Sequence, residues 1–166
     1  MSERITQRLN KDFFCDGAYY VITSSSLGGS NLTTEEIADN LLQSHEGVNK
    51  LLSEGIAFPL SFPGDCALDN CTTIVMGELS EEEEENWVGK ITSKLKIPCG
   101  KVIILAGGGE SEYFYKAISR EKPHKDYVFY DEVNLPEGDY LVELYCYINS
   151  MSFQVDFDPD IYSRSE

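Results

Sequence analysis

Positive charge is the scarcest feature of this 166-residue sequence. It holds 13 Lys and Arg residues against 29 Asp and Glu residues, which gives a formal net charge of −16. A protein that binds nucleic acid directly must supply positive charge to displace counterions from the phosphates. A protein that binds an anionic membrane surface also needs positive charge. The composition therefore argues against both nucleic acid and membrane lipid as direct partners.

Long apolar runs are also missing. The longest is Val102 to Ala106, far short of the roughly 20 residues that a membrane-spanning helix needs. Residues 1–12 are polar, and no apolar stretch of secretory-signal length follows them. We therefore expect a cytosolic protein. Its length suits a single domain over residues 1–166 with a core of its own.

Motifs that carry catalysis are scarce as well. The sequence has two histidines, His45 and His124, and five cysteines without the two-residue spacing of zinc knuckles. The glycines at 107–109 follow a strand-like run, as a phosphate-binding loop would, but Glu110 and Glu112 come after them and would repel phosphate. These observations favour a protein without catalytic or cofactor-binding residues over an enzyme.

Cys99 is the thiol with the most distinctive surroundings. It lies in a Pro-Cys-Gly turn between Lys96 and Lys101, and nearby positive charge lowers the pKa of a thiol. The alternative is a turn residue that packs inward, and the sequence favours it.

What the sequence has in abundance is β-strand pattern. Lys90 to Ile97 alternates lysines and threonine with apolar residues, which is typical of a half-buried strand. Turns at 98–100 and 136–138 predict two hairpins, and Pro63-Gly64-Asp65 predicts another turn. The strand from Asp139 to Asn149 is apolar on both faces and should be covered on both. The second cover is either the N-terminal helical segment or another subunit, so a homodimer is left open.

Helical signals concentrate near the N-terminus. Thr33 and Glu36 have the spacing of a capping box, and Gly55 would end the segment. We expect helices over about 33–54, and an irregular segment over 107–125. The predicted fold is mainly β: an antiparallel β-sandwich formed mostly by residues 56–157, with an N-terminal helical insertion that packs on it. An α+β fold is the alternative.

Two acidic clusters are candidate binding sites. The first follows a helix-capping Ser80 and would attract a basic partner: Glu81, Glu82, Glu83, Glu84 and Glu85. The second occupies alternate positions of an extended segment, whose side chains point the same way, and could bind calcium: Asp156, Asp158 and Asp160. The competing interpretations are a solvated helix end and a charged strand edge.

Aromatic residues gather on either side of the 107–125 segment. Such a group fills a core, or forms a sugar-stacking or protein-binding patch. Its members are Tyr113, Phe114, Tyr115, Tyr127, Phe129 and Tyr130.

The segment Val133 to Tyr140 (VNLPEGDY), preceded by the strand Lys101 to Ala106, carries a family resemblance. It is similar to the closing hairpin of small bacterial β-sandwich proteins, among them the competence-associated inhibitors of a DNA-entry nuclease. The likeness covers the last third of the chain. It implies a β-sandwich fold, and no site residues are carried over.

Together these features predict a non-catalytic, acidic β-sandwich that binds another protein. One form is an inhibitor or immunity-type protein whose acidic surface occupies a basic partner, since its charge would steer the encounter. The alternative is a β-sandwich that binds a small molecule, a carbohydrate or calcium.

Overall fold

The computed structural model describes nine strands and four α-helices in residues 5–8, 15–43, 45–68, 73–76, 79–106, 111–119, 130–146 and 151–162. The strands are β1 (Ile5–Arg8), β2 (Cys15–Ser24), β3 (Ala57–Leu68), β4 (Thr73–Met76), β5 (Gly89–Ile97), β6 (Lys101–Ala106), β7 (Tyr130–Asn134), β8 (Gly138–Cys146) and β9 (Met151–Phe157). The helices are α1 (Thr34–Gln43), α2 (His45–Ser53), α3 (Glu81–Asn86) and α4 (Ser111–Ser119).

The strands form two sheets. One has five strands in the order β1-β4-β9-β8-β5, and the other has four in the order β3-β2-β6-β7. The mainly β fold is confirmed. Strands β4 and β9 run parallel, whereas the expectation was an antiparallel sandwich. β1 and β2 precede the helices, and β2 lies inside the four-stranded sheet between β3 and β6.

The main core lies between the two sheets. Alternate residues of each strand point into it, as the period of two requires. On β5 the buried positions are Ser93, Leu95 and Ile97, as the alternation predicts. A cavity of about 20 Å³ lies in this core and is lined entirely by apolar side chains from both sheets.

Helices α1, α2 and α4 cover the outer face of the four-stranded sheet. Apolar residues of the helices, such as Ile37 and Phe114, pack against Ile103 and Leu105 of β6. The helical segment over 33–54 is therefore present, and its start is capped by Thr33, whose Oγ1 accepts the Glu36 N–H at 3.1 Å. The expectation that these helices cover the second face of β8 is wrong, because β8 belongs to the other sheet.

Both predicted hairpins are wrong for the same reason. β5 and β6 lie in different sheets, and so do β7 and β8. Each turn is an arch that carries the chain across the sandwich, after which β5 pairs with β8 and β6 with β7. The two arches touch, since the Leu135 N–H donates to the Gly100 carbonyl at 3.0 Å. Apolar alternation fixes which side chains face the core in either arrangement, so it cannot distinguish an arch from a hairpin.

Two further local predictions are corrected. The 107–125 segment was expected to be irregular, yet it contains α4. Phe114 and Ala117 of this helix are buried, and the Lys116 ammonium forms an ion pair with the Glu112 carboxylate at 2.9 Å. Residues 63–65 do not turn the chain. They lie within β3, where the register with β2 shifts between Gly17 and Tyr19 so that β3 carries extra residues in a bulge. The placement of Pro59 on an edge strand is confirmed, because β3 ends its sheet.

Candidate protein-binding surface

Helix α3 presents a row of carboxylates to solvent. The Ser80 hydroxyl accepts the Glu83 N–H at 3.1 Å, and the Glu83 carboxylate accepts the Ser80 N–H at 2.9 Å. The two bonds form a capping box, in which Ser80 caps the helix as the sequence predicts. None of the helix residues is buried, and the acidic side chains suit the positive end of the helix dipole. The helix is thus formed by local interactions, and its glutamates other than Glu83 are exposed to solvent.

The segments flanking α3 attach it to the outer face of the five-stranded sheet. Leu79 is buried against Val75 and Tyr145. On the other side of the helix, the Trp87 ring meets the Tyr145 ring edge to face, with 6.1 Å between centroids. The Val88 N–H then donates to the Cys146 carbonyl at 2.7 Å. The second face of β8 is therefore covered, at Tyr145, by the chain around α3.

Two large apolar side chains beside α3 are exposed. Trp87 is 42% exposed and Val88 is 67% exposed. An exposed aromatic residue next to apolar surface and bordered by charge is typical of the centre of a protein interface. We call α3 together with Trp87 and Val88 the α3 surface. Sequence reasoning missed the apolar part of it, although the single tryptophan directly behind an acidic run was a signal.

Lysines of β5 lie on the same sheet face, and the first of them, Lys90, is next to the α3 surface. The Lys90 ammonium lies 2.6 Å from the Glu143 carboxylate and 5.2 Å from the centroid of the Tyr145 ring. The hydrogen bond with Glu143 raises the pKa of Lys90. Further along β5, Lys96 lies 4.6 Å from the Tyr162 ring centroid. The lysine face is therefore partly engaged within the protein instead of being fully solvated.

The acidic residues that the structure describes do not gather on one face. Exposed carboxylates on α1 (Glu35, Glu36 and Asp39) belong to the layer that covers the four-stranded sheet. The α3 surface lies on the outside of the opposite sheet. A partner that contacts one face meets only part of the charge of −16.

The three aspartates predicted to bind calcium are split between a strand and a turn. Asp156 lies on β9, where burial and the neighbouring Glu143 raise its pKa. The strand ends at Phe157, and the Asp158 carboxylate accepts the Asp160 N–H at 3.1 Å. Over the described ranges, no group of three or more His, Cys, Asp or Glu side chains could hold a metal. Calcium binding by Asp156, Asp158 and Asp160 stays a prediction.

In the arch at 98–100, the Cys99 thiol lies 3.0 Å from the hydroxyl of Ser25, which follows β2. Partial burial raises the pKa of this thiol, but hydrogen bonds from Ser25 and Ser26 oppose the effect and bring the pKa below its usual value. The direction agrees with the less favoured of the two sequence interpretations of Cys99. The cause differs, because hydrogen bonds from Ser25 and Ser26 stabilise the thiolate, and the charges of Lys96 and Lys101 do not.

We expect Cys99 to be the more reactive of the two half-buried thiols Cys99 and Cys146. The substitution Ser25→Ala should slow alkylation of Cys99 by iodoacetamide at neutral pH several-fold, because a hydrogen bond to the thiolate is lost. Mass spectrometry of the alkylated peptides measures both rates, with Cys146 as the internal control. An unchanged Cys99 rate in this variant would contradict the assignment.

The remaining candidate residues do not converge in the described part of the chain. Phe114 is buried in the helical layer, whereas Tyr115 is 57% exposed. Glycines 107–109, His124, Tyr127 and Phe129 lie outside the described residues. His45 begins α2. No described helix is long and apolar enough to cross a membrane.

The architecture defines the class of protein: a two-sheet β-sandwich with helices on one outer face. Among solved structures, the chain is similar to one titled "Crocagin biosynthetic gene J", with a TM-score of 0.55 and 6% sequence identity over 95% of this chain and 99% of that one. It is also similar to ComJ, inhibitor of the DNA degrading activity of NucA, from Bacillus subtilis, with a TM-score of 0.42 and 10% identity over 93% and 96% of the two chains.

The likeness with a TM-score of 0.55 shows the fold alone. Neither a protein-family profile nor a curated protein sequence matches the chain. The resemblance to nuclease inhibitors that the Val133 to Tyr140 segment suggests is confirmed, and it is weak.

Proposed function

We propose that this protein is a binding module whose α3 surface engages a basic partner protein. The observation that carries the proposal is the exposure of Trp87 and Val88 directly beside the uncovered carboxylates of α3. Such a surface combines an apolar centre with a charged rim. The carboxylates would speed the encounter with a basic partner, and the apolar pair would slow dissociation.

The finer form of the proposal is an inhibitor. Its partner would be an enzyme with a basic surface, which the α3 surface would occupy. The basic character of the partner and the cytosolic location both come from sequence reasoning and stay predictions.

A comparison of two charge variants tests this function. In the first, the five glutamates Glu81 to Glu85 become glutamine. In the second, five exposed acids on or next to helices α1 and α2 become the corresponding amides: Glu35, Glu36, Asp39, Glu46 and Glu54. Both variants lose the same charge, so any difference between them reports the location of the binding site.

We expect the α3 variant to retain its partner about ten- to a hundredfold less well than the wild type, because each exposed ion pair contributes about 0.2–1 kcal/mol. The control variant should bind nearly as the wild type does. Affinity capture from cells that contain the protein naturally, repeated at low and high salt, measures both. Equal losses in the two variants, or capture that is insensitive to salt and to α3, would refute the proposal.

A further inference from the structure

Strand β5 is the least protected edge of the sandwich. It ends the five-stranded sheet and pairs with β8 along all of its nine residues, without a bulge. The other edge strands are blunted in ways that natural proteins commonly use. β1 has four residues, β7 has five, and β3 contains Pro59 and a bulge.

The backbone of β5 presents hydrogen-bonding groups to this edge. The Lys96 N–H points away from β8 and donates to the Gly55 carbonyl at 2.9 Å. In an antiparallel ladder, residues two apart point their backbone groups the same way. The N–H and C=O groups of Lys90 and Thr92 therefore also point outward. In the described part of the chain, no strand pairs with β5 on that side.

Only the first half of the edge is accessible. Among the residues whose backbone groups point to this edge, Lys90 and Thr92 are exposed, whereas Lys94 and Lys96 are half-buried. The Lys96 N–H is also already bonded to Gly55. Just two residues, Trp87 and Val88, separate this stretch from α3. The open edge is thus continuous with the α3 surface.

We infer that an extended, basic segment of the partner protein adds as a strand to β5 at Gly89–Thr92. This rests on the proposed function and specifies its binding mode. Near α3 the local charge is negative, since Glu143 neutralises Lys90 at 2.6 Å and the α3 glutamates face solvent. Lys94 and Lys96 lie at the far end of β5 and disfavour basic side chains there. Main-chain hydrogen bonds would supply affinity, and the charges would set the position of the segment.

Matched peptides test this binding mode. The first alternates Lys and Val. The second has the same sequence with N-methyl groups on alternate backbone nitrogens, which removes donors but keeps the charge. The third replaces Lys with Glu. Trp87 is the single tryptophan of the chain, so its fluorescence reports binding at the α3 surface. We expect the Lys–Val peptide to bind about tenfold more tightly than its methylated form, and the Glu–Val peptide not to bind.

A pair of variants tests the same edge from the protein side. Thr92→Pro removes a backbone N–H that points outward, where an edge strand tolerates proline, and Thr92→Ala is its control. The proline variant should bind the Lys–Val peptide about tenfold less well than the alanine variant. Circular dichroism checks that both are folded, and the peptide comparison on the wild type stands even if the proline variant is not.

The outcomes separate the two proposals. Equal binding of the Lys–Val peptide and its methylated form would overturn strand addition but leave the charge-based function intact. No binding of the peptide, together with undiminished partner capture by the α3 variant, would overturn both. Self-association of the free protein through β5, detected by light scattering and abolished in Thr92→Pro, would overturn the basic segment in favour of a second copy.

Discussion

Replacing Tyr140 with alanine is expected to lower the free energy of unfolding by about 4 kcal/mol, as for other buried aromatic residues. Tyr140 is 0% exposed, and it lies between the sheets at the start of β8, directly after the second arch. Its ring meets the Phe157 ring edge to face at 5.8 Å. Its hydroxyl donates to the Pro136 carbonyl at 2.6 Å, four residues back along the chain.

This hydrogen bond gives Tyr140 the role of a tyrosine corner, which holds a sheet-to-sheet crossing in place in other β-sandwiches. The variant Tyr140→Phe isolates it, because it keeps the ring and removes the hydroxyl. We expect this variant to lose about 1 kcal/mol. Chemical denaturation followed by circular dichroism measures both variants. A loss for Tyr140→Phe as large as that for Tyr140→Ala would show that the ring contributes little.

The second large effect is expected at Gly55. Its φ of +68° lies in the left-handed region, and a Cβ there would collide with the Tyr162 side chain. Its carbonyl also holds the edge of β5 through the Lys96 N–H. We expect Gly55→Ala to lose about 3 kcal/mol of unfolding free energy, from backbone strain and from displacement of Tyr162.

Gly29→Ala is the matched control. Gly29 has a φ of +73°, but a Cβ there would meet Pro98 at 3.4 Å, an ordinary contact. This variant should therefore show the strain alone, about 1–2 kcal/mol. Thermal or chemical denaturation of the two variants gives the difference. Equal losses would mean that the contact between Gly55 and Tyr162 does not contribute.

A double variant examines that contact directly. The Tyr162 hydroxyl is buried and has no hydrogen-bond partner among the described residues. We expect Tyr162→Phe to be neutral or slightly stabilising, and to reduce the cost of Gly55→Ala when the two are combined. If the free-energy changes of the two substitutions are strictly additive, the cost of Gly55→Ala comes from the backbone and not from the Tyr162 hydroxyl.

Local sequence patterns predicted part of the local structure, although they missed α4 and placed a turn at 63–65 within β3. Ser80 and Glu83 gave the capped α3, and the lysine alternation gave the buried face of β5, because both depend on neighbours along the chain. The partner of each strand was not predictable in this way. The turn at 98–100 is compatible with a hairpin or an arch, and the choice depends on where β8 lies, some forty residues later.

The candidate site was predictable in part for the same reason. The sequence alone locates the acidic run of α3, because its five glutamates are consecutive. The exposure of Trp87 could not be predicted, because it depends on a tertiary contact. Tyr145 packs against part of the Trp87 ring, and the remainder of the ring is exposed to solvent. The opposite placement of α1 and α3 likewise follows from the division of the strands between two sheets.

The paired arches also bear on how the chain folds. Each arch joins a strand of one sheet to a strand of the other, so the segment between β5 and β8 contains β6 and β7, which pair in the opposite sheet. The pairing of β5 with β8 closes a loop of about forty residues, which is entropically slow to form. We therefore expect amide hydrogens of β6 and β8 to exchange with solvent at similar free energies, as one cooperative unit that spans both sheets.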